Sequence, residues 1–362
     1  MRIAQVAPLY ESVPPKLYGG TERIVSYLTE ELVRRGHDVT LYAAGDSQTR
    51  ARLVPGSPSA LRLSGLTPEV YHILMLEDVF RDAGQYDIVH FHVDFLHFPL
   101  SSRNTIPQVT TMHGRLDLPD LVPLFKRFSE MPLVSISDSQ RRPLPWANWV
   151  GTVYHGLPAD LYRASEEPGE YLAFLGRISP EKRPDRAIEI AKRTGIPLKI
   201  AAKVDKVDRE YFEREIEPLL DTSLIEFIGE IGEHEKNEFI GGALAMLFPI
   251  DWPEPFGLVM IESFACGTPV VAFRCGSVPE VMRDGVSGFV VESIDEAVDA
   301  VHRIDSLDRR VCRAYFDERF TVERMAEDYL EVYEALQHAN SVERAKVRYL
   351  EPAAADYAAS AV

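Results

Sequence analysis

The segment RIAQVAPLYESVPPKLYGGTERIVSYLTEELVRRGHDVTLYAA, residues 2–44, has the pattern of a strand, a glycine-containing loop, a helix and a second strand. The helix is predicted from about Glu22 to Arg35, with Thr21 as its N-cap, an apolar stripe along one face and Gly36 as its end. A strand, a crossover helix and a strand in this order predict a parallel sheet covered by helices.

The same alternation continues in two series of short β-branched runs. In the first half the further strand candidates are DIVHFH, QVTTMH and LVSIS. In the second half they are YLAFLG, PLKIAAK, LIEFIG, ALAMLFP, PVVAF and GFVVE. The segment YHGLPADLYRASEEPGE, residues 154–170, is rich in Gly, Pro and charge, and it separates the two series.

We therefore predict an α/β protein with two Rossmann-like parallel-sheet domains, residues 1–157 and 158–321, that face each other across a cleft. In such sheets, ligands bind at the carboxyl ends of the strands. Residues 322–362 contain a strongly amphipathic helix, and this helix with its tail is expected to pack back on the first domain.

The charge of the chain argues against one class of partner. The formal net charge is -17, so no binding to nucleic acid through overall electrostatics is expected. The longest apolar runs are shorter than the roughly 18 residues that span a membrane, and MRIAQVAPLY lacks the features of a signal peptide. The three cysteines form no CxxC pair. These features predict a cytoplasmic protein without stable membrane insertion, and they leave a homo-oligomer open.

Two loops that follow predicted strands carry groups suited to phosphate. Gly19 and Gly20 let the backbone approach a ligand, and the following helix offers free N–H groups at its start. This loop is neither G-x-G-x-x-G nor a Walker loop, so NAD and ATP are disfavoured. Arg177 and Lys182 lie five residues apart after YLAFLG and can neutralise a diphosphate from two sides. The structural alternatives are a plain turn and two solvated cations.

A histidine follows another predicted strand in TTMHGRLD. His113 is placed where an imidazole can act as an acid, a base or a hydrogen-bonding group, although a purely structural histidine is the alternative. His90, His92 and His97 have no spacing typical of a metal site, and HFHVDFLHF is interpreted as a buried strand with its following loop.

The segment DWPEPFGLVMIESFACGTPVVAF, residues 251–273, has a carboxylate on each side of a Pro-Phe-Gly corner. A helix is predicted to begin near Gly257, with Glu254 before it and Glu262 some ~7 Å along its axis. Glu262 faces the apolar side, where an ionised carboxylate needs a partner. With a helix N-terminus between them, the two acids suit a nucleotide-diphosphate sugar. A capping Glu254 and a solvated Glu262 are the alternative.

Together these segments resemble the retaining glycosyltransferases of family 4, which have the GT-B fold. The matching segments are EPFGLVMIE for the E-x7-E motif, GGTERIVSYLTEELVRRGHDVTLYAAGDS for the glycine loop and first helix, HGLPADLY for the hinge, FLGRISPEKRP for the Arg/Lys loop and CGTPVVAFRCGSVPEVMRDGVSGFVV for the last donor-site turn. The resemblance covers most of the chain. It departs at Arg183, where the family usually has Gly.

The resemblance implies roles for residues on both sides of the cleft. Gly19 and Gly20 would lie over the donor diphosphate, which Arg177 and Lys182 would hold and stabilise as it leaves. His113 would hydrogen-bond the transferring sugar.

The resemblance also implies how the second domain would hold the rest of the donor. Glu254 would bind sugar hydroxyls, and Glu262 would bind the ribose. The backbone N–H groups beside Glu254 would come from Phe256, Gly257 and Leu258, and the base would contact the loop at Glu230 and Ile231.

The implied reaction is transfer of a glucosyl or mannosyl group, with retained configuration, from a UDP- or GDP-linked sugar to a hydroxyl of a small molecule or glycan. The chain has no Asp-x-Asp motif, so no metal and no cofactor are predicted, and Arg177, Lys182 and helix N-termini should neutralise the leaving group.

Three other hypotheses stay open at this stage. They are a nucleotide-sugar epimerase of the same fold, a glycoside hydrolase that uses Glu254 and Glu262, and a non-enzymatic sugar-binding protein. The acceptor is expected on the first domain, near PPKLYG, HVDFLHF and RLDLPD, and a lipid acceptor is less favoured because no basic-aromatic amphipathic helix is evident.

Overall fold

The computed structural model describes residues 1–220 and 223–350. The strands of these residues are β1 (Arg2–Val6), β2 (Asp38–Ala44), β3 (Arg52–Ser57), β4 (Ile88–Phe91), β5 (Gln108–Thr111), β6 (Leu133–Ser135), β7 (Trp149–Thr152), β8 (Leu172–Arg177), β9 (Leu198–Lys203), β10 (Ile225–Gly229), β11 (Ala245–Phe248), β12 (Val270–Phe273) and β13 (Gly288–Val291). The α-helices are α1 (Gly20–Arg34), α2 (Pro68–Asp82), α3 (Phe98–Ser101), α4 (Leu121–Arg127), α5 (Asp138–Arg141), α6 (Pro184–Thr194), α7 (Arg209–Tyr211), α8 (Glu233–Gly241), α9 (Leu258–Ala265), α10 (Val278–Val281), α11 (Ile294–His302), α12 (Arg309–Arg319) and α13 (Val322–Leu350).

The strands form two parallel sheets, which confirms the predicted fold class. The first sheet has the order β3-β2-β1-β4-β5-β6-β7, and the second has the order β10-β9-β8-β11-β12-β13. The strand order reverses direction between β1 and β4 and between β8 and β11. Ligands of doubly wound sheets bind at such switch points, beyond the carboxyl ends of the strands.

Helix α1 differs from its prediction at its start. It begins at Gly20, with Gly19 as N-cap and no side-chain cap, so the prediction that Thr21 is the N-cap is wrong. The reason lies in the backbone, since the N–H of Arg23 already donates to Gly19 O at 3.1 Å and Thr21 is inside the first turn. The helix ends at Arg34, and Gly36 follows in the left-handed conformation, as predicted.

The chain crosses between the two sheets at two adjacent places. Leu157 donates its backbone N–H to Phe320 O at 2.9 Å, and its own carbonyl accepts the N–H of Val322 at 2.8 Å. Helix α13 starts there and packs against α1 of the first domain. Residues 351–362 of the predicted returning tail lie outside the described residues, and the boundary after residue 157 stays a prediction.

The two domains also contact each other directly. One hydrophobic cluster of buried residues contains Ile24 of α1, Phe256 beside α9 and Tyr329 of α13. Across the same interface the carboxylate of Glu280 accepts the backbone N–H groups of Asp138 and Ser139 at the start of α5, at 2.8 and 2.5 Å. A carboxylate is favourable there because the first N–H groups of a helix have no internal partner.

Candidate active site

A cavity of about 670 Å³ lies between the two domains, at the carboxyl ends of the strands that flank both switch points. It is bounded by loops after β1 and β4 on one side and after β8 and β11 on the other. Nine of the predicted site residues line it: Gly19, Gly20, His113, Arg177, Lys182, Glu254, Phe256, Gly257 and Leu258. The structure thus brings together residues that are far apart in the sequence.

Helix α9 begins at the cavity where the sequence predicted it. Its N-cap is Gly257, which has φ 82°. The positive φ favours glycine, and a Cβ atom built on Gly257 would lie 2.8 Å from Met260 Cε and 3.0 Å from Phe248 Cζ, so a larger residue would also require these side chains to shift. This turn aims the unpaired N–H groups of the helix start at the cavity.

Lys182 and Glu254 form an ion pair across the cavity wall. The ammonium Nζ contacts Glu254 Oε2, and the same oxygen accepts the indole N–H of Trp252 at 2.9 Å. Lys182 Nζ also lies 5.1 Å from the centroid of the Trp252 ring and 5.8 Å from that of Phe248. The aromatic rings and the carboxylate together hold the cation at one position.

Arg177 is held by carboxylates in the same part of the cavity. Its Nη2 donates to Glu181 Oε1 at 2.6 Å, and Nη1 lies 3.5 Å from Asp208 Oδ2. A diphosphate that binds to Arg177 therefore competes with Glu181 for the guanidinium. Both predicted cations face the cavity with an acidic partner already in place.

Arg183, the departure from the family pattern, keeps the backbone geometry that glycine favours. It has φ 53° and ψ 52°, the left-handed region. Its guanidinium donates to Asp185 Oδ2 at 2.7 Å and to Asp251 Oδ2 at 2.9 Å. These ion pairs offset part of the backbone strain, and the loop retains the spacing of Arg177 and Lys182.

His113 is the cavity end of a buried hydrogen-bond relay. Gln5 Nε2 donates to the hydroxyl of Tyr333 at 3.0 Å, and Gln5 Oε1 accepts the N–H at Nε2 of His92 at 2.8 Å. Nδ1 of His92 is therefore unprotonated and accepts from Nε2 of His113 at 2.9 Å. In this arrangement His113 carries its proton at Nε2, and Nδ1 is an acceptor.

Burial keeps the relay neutral. Loss of water contact lowers the pKa of His113 to about 3 and lowers the pKa of His92 well below its usual value. At neutral pH His113 is thus an uncharged hydrogen-bonding group rather than a proton donor. The prediction of a buried strand around His90 and His92 is confirmed, since both side chains are buried.

Glu262, Glu230 and Ile231 are not among the residues that line the cavity. Glu262 is 3% exposed, and its Oε1 accepts from Lys236 Nζ at 2.6 Å. The expectation that a carboxylate there needs a partner is confirmed, and the partner is Lys236 of α8. Next to it, Arg23 of α1 forms an ion pair with Glu233. The Arg23–Glu233 ion pair therefore joins the first domain to α8 beside Glu262.

Trp252 and Asp94 are two of the lining residues that sequence reasoning did not name as site residues. Trp252 contacts both Lys182 and Glu254, and it lies two positions before Glu254 in a segment already singled out. Asp94 follows β4 with φ 50°, a backbone conformation that is uncommon outside glycine. Asp94 lies in HVDFLHF, a segment expected near the acceptor, but no spacing pattern singled out its carboxylate.

Comparison with known proteins identifies the class of protein that this fold and cavity define. Residues 163–310 match the family described as "Glycosyl transferases group 1", and residues 18–157 match the one described as "Glycosyltransferase Family 4". The two matches together span most of both domains. The two models, one for each domain, together support a glycosyltransferase, and the similar solved structures show the GT-B fold. The expected class of enzyme is thereby confirmed, while retention of configuration and the hexosyl group stay predictions.

Individual relatives are consistent with this class. A curated D-inositol 3-phosphate glycosyltransferase of Acidothermus cellulolyticus is 25% identical over 342 residues, covering 77% of this chain and 76% of the relative. The structure of sucrose-phosphate synthase from Thermosynechococcus elongatus superposes with a TM-score of 0.75 at 17% identity, covering 94% of this chain and all of the other. Anabaena Alr3699/HepE in complex with UDP-glucose gives 0.71 at 17% identity, covering 92% of this chain and all of the other.

No helix in the described ranges is long and apolar enough to cross a membrane. Within the same ranges, no group of three or more His, Cys, Asp or Glu side chains is arranged to hold a metal ion.

Proposed function

We propose that the protein transfers a glucosyl or mannosyl group from a UDP- or GDP-linked sugar to a hydroxyl acceptor, with retention of anomeric configuration and without a metal ion. The observation that carries this proposal is the position of Arg177, at the end of β8, and Lys182, in the loop after it, in one cavity with the starts of α1 and α9. Two cations and two helix N-termini form a site for a diphosphate. The structural neighbour solved with UDP-glucose supports this choice of donor.

In the proposed reaction, the bond between the anomeric carbon and the diphosphate oxygen breaks, and its electron pair leaves with the diphosphate. Arg177 and Lys182 neutralise that developing charge. The acceptor oxygen forms the new bond to the anomeric carbon, and its proton passes to the leaving phosphate. Glu254 binds hydroxyls of the sugar, and His113 accepts a hydrogen bond from another of them at Nδ1.

The hydrolase hypothesis is disfavoured by the position of the second carboxylate. Glu262 is buried and bound to Lys236, so Glu254 and Glu262 do not flank one sugar in the cavity. In the proposed reaction Glu262 instead binds the nucleotide ribose. For this, the Lys236 side chain must move away or share the Glu262 carboxylate with the ribose hydroxyls.

The test is nucleotide release from UDP-, GDP- and ADP-linked sugars, with the anomeric configuration of the product read by NMR. We expect turnover with a UDP- or GDP-linked hexose, an unchanged rate in EDTA and an axial product from an axial donor. Inversion of configuration or a strict metal requirement would contradict the mechanism. Binding of a sugar or nucleotide without any turnover would instead support the non-enzymatic hypothesis.

A further inference from the structure

The first-domain half of the cavity carries little positive charge. Of the described first-domain residues that line the cavity, Glu22 and Asp94 are the carboxylic acids and Arg62 is the guanidinium, and burial raises the pKa of Glu22. The single cation, Arg62, is compensated, because its Nε donates to Glu11 Oε1. Its guanidinium also lies over the ring of Tyr18, 5.5 Å from the centroid. This half of the cavity is therefore acidic overall.

The histidines on this side do not add positive charge. Burial lowers the pKa values of His72, His92, His113 and His155 below the usual range. Nε2 of His72 accepts the backbone N–H of Leu9 at 3.1 Å, which requires that nitrogen to be unprotonated. Phosphate sites are built from Arg and Lys side chains or from helix N-termini.

The helix start at Gly20 belongs to the donor half in the proposed reaction. A Cβ atom built on Gly20 would lie 3.4 Å from Leu258 Cδ1, at the start of α9. The two helix starts thus face each other, on the same side of the cavity as the proposed diphosphate position. A second phosphate, on the acceptor, would find neither an uncompensated cation nor a free helix start among the first-domain residues described here.

On this side, Asp94 is a carboxylate that faces the cavity. Among the described residues, no hydrogen bond or ion pair reaches its carboxylate, although its side chain lies in the cavity and is accessible there. Poor solvation by the surrounding protein raises the pKa of Asp94 to about 6, which still leaves the carboxylate mostly ionised at neutral pH. An ionised carboxylate without protein donors is a strong acceptor for a ligand hydroxyl.

Exposed rings complete this surface. Tyr10 is 40% exposed and Tyr18 is 47% exposed, and both line the cavity. Aromatic faces and a few well-placed polar groups are typical of sites for small ligands.

We propose that the first-domain half of the cavity takes an uncharged sugar or polyol as acceptor, that Asp94 accepts a hydrogen bond from one of its hydroxyls, and that phosphorylated acceptors are excluded. This inference rests on the proposed transferase function and specifies its substrate class. The expected acceptor of this chain therefore differs from the inositol phosphate that the name of its curated relative states.

The first experiment compares matched acceptors with one fixed donor sugar: glucose and glucose 6-phosphate, fructose and fructose 6-phosphate, and myo-inositol and its phosphate. Nucleotide release above the acceptor-free rate and the thermal shift of the nucleotide-bound protein are both measured. We expect the uncharged member of at least one pair to be preferred by about tenfold or more in kcat/KM. Preference for a phosphorylated member overturns the proposal, as does the absence of both turnover and thermal shift with every uncharged compound.

The second experiment replaces Asp94→Asn, because asparagine also tolerates the left-handed backbone. We expect the KM for the uncharged acceptor to rise about tenfold to hundredfold, a much larger change than that in the donor KM. The matched control is Asp38→Asn, an exposed residue of β2 that does not line the cavity. An unchanged acceptor KM in Asp94→Asn overturns the role of Asp94.

Calorimetry with UDP and GDP distinguishes a failure of the proposed transferase function from a failure of the proposed acceptor class. If the wild-type protein neither binds these nucleotides nor hydrolyses the donor, the transferase function itself is contradicted. Intact donor hydrolysis with a preference for phosphorylated acceptors would contradict only the acceptor class.

Discussion

Replacing Lys182 by methionine isolates the charge that is proposed to stabilise the leaving diphosphate. Methionine keeps a flexible stem between the rings of Phe248 and Trp252 and removes only the ammonium. A unit charge that develops ~4 Å from that ammonium, at an effective dielectric constant of ~20, is stabilised by about 4 kcal/mol. This free energy corresponds to roughly a thousandfold loss in kcat. The Glu254 carboxylate, left without its cation, adds to the loss.

The same substitution should change the stability of the fold much less. The side chains of Lys182 and Glu254 are 21% and 13% exposed, so solvent screens their pairing, and we expect a change of about 1 kcal/mol in the free energy of unfolding. Steady-state nucleotide release gives kcat, and calorimetry gives the melting temperature. Lys192→Met, an exposed lysine of α6, is the matched control. A folded Lys182→Met protein with a kcat within about tenfold of wild type would refute the charge-neutralisation argument.

Three further predictions concern the nucleotide site, the Arg183 loop and acid stability. Glu262→Gln should weaken nucleotide binding about tenfold by calorimetry, whereas Glu327→Gln on the exposed face of α13 should not, and equal affinities would remove Glu262 from the ribose site. Arg183→Gly should keep kcat within about threefold because glycine adopts the same backbone conformation, while Arg183→Val should lose ~1–2 kcal/mol of stability in urea titrations. If valine is tolerated as well as glycine, the left-handed conformation at this position is not required. His97 has its pKa lowered to about 3 by burial, so its contribution to stability is complete above pH 6.5 and falls as the pH decreases toward 3. Between pH 7.5 and 5.5 this residue alone should remove about 1.4 kcal/mol of stability, and His97→Gln should show a correspondingly smaller pH dependence in urea titrations than wild type.

The second sheet was more predictable than the first. All six of its strands were expected from apolar runs between helical segments, and each is present. Strands β3 and β7 were missed in the first sheet, and both are edge strands. β3 contains Pro55 and Gly56, and β7 contains Gly151, residues that weaken the strand pattern and are tolerated at edges.

The candidate site was predictable where a motif kept its residues close together in the chain. Glu254 and Gly257 lie in one segment, and the sequence signals for a helix start correctly placed Gly257 at the start of α9 with Glu254 before it. The partner of Glu262 could not be derived in this way, because Lys236 comes from a different helix and meets Glu262 only in the folded domain. The acceptor half was predicted only as segments: HVDFLHF contains Asp94 and lines the cavity as expected, whereas Arg62 lies in none of the expected segments.

The relay from Tyr333 to His113 has a consequence for exchanging parts between related enzymes. Tyr333 belongs to α13, after the second domain in the chain, yet its hydroxyl orients the Gln5 amide and through it the histidines of the first domain. A chimaera joined near residue 157 alone would pair the first domain with a foreign α13. The interchangeable unit is therefore residues 1–157 together with α13. A chimaera that exchanges residues 1–157 without α13 would lose the Tyr333 hydroxyl and could change which nitrogen of His113 carries the proton.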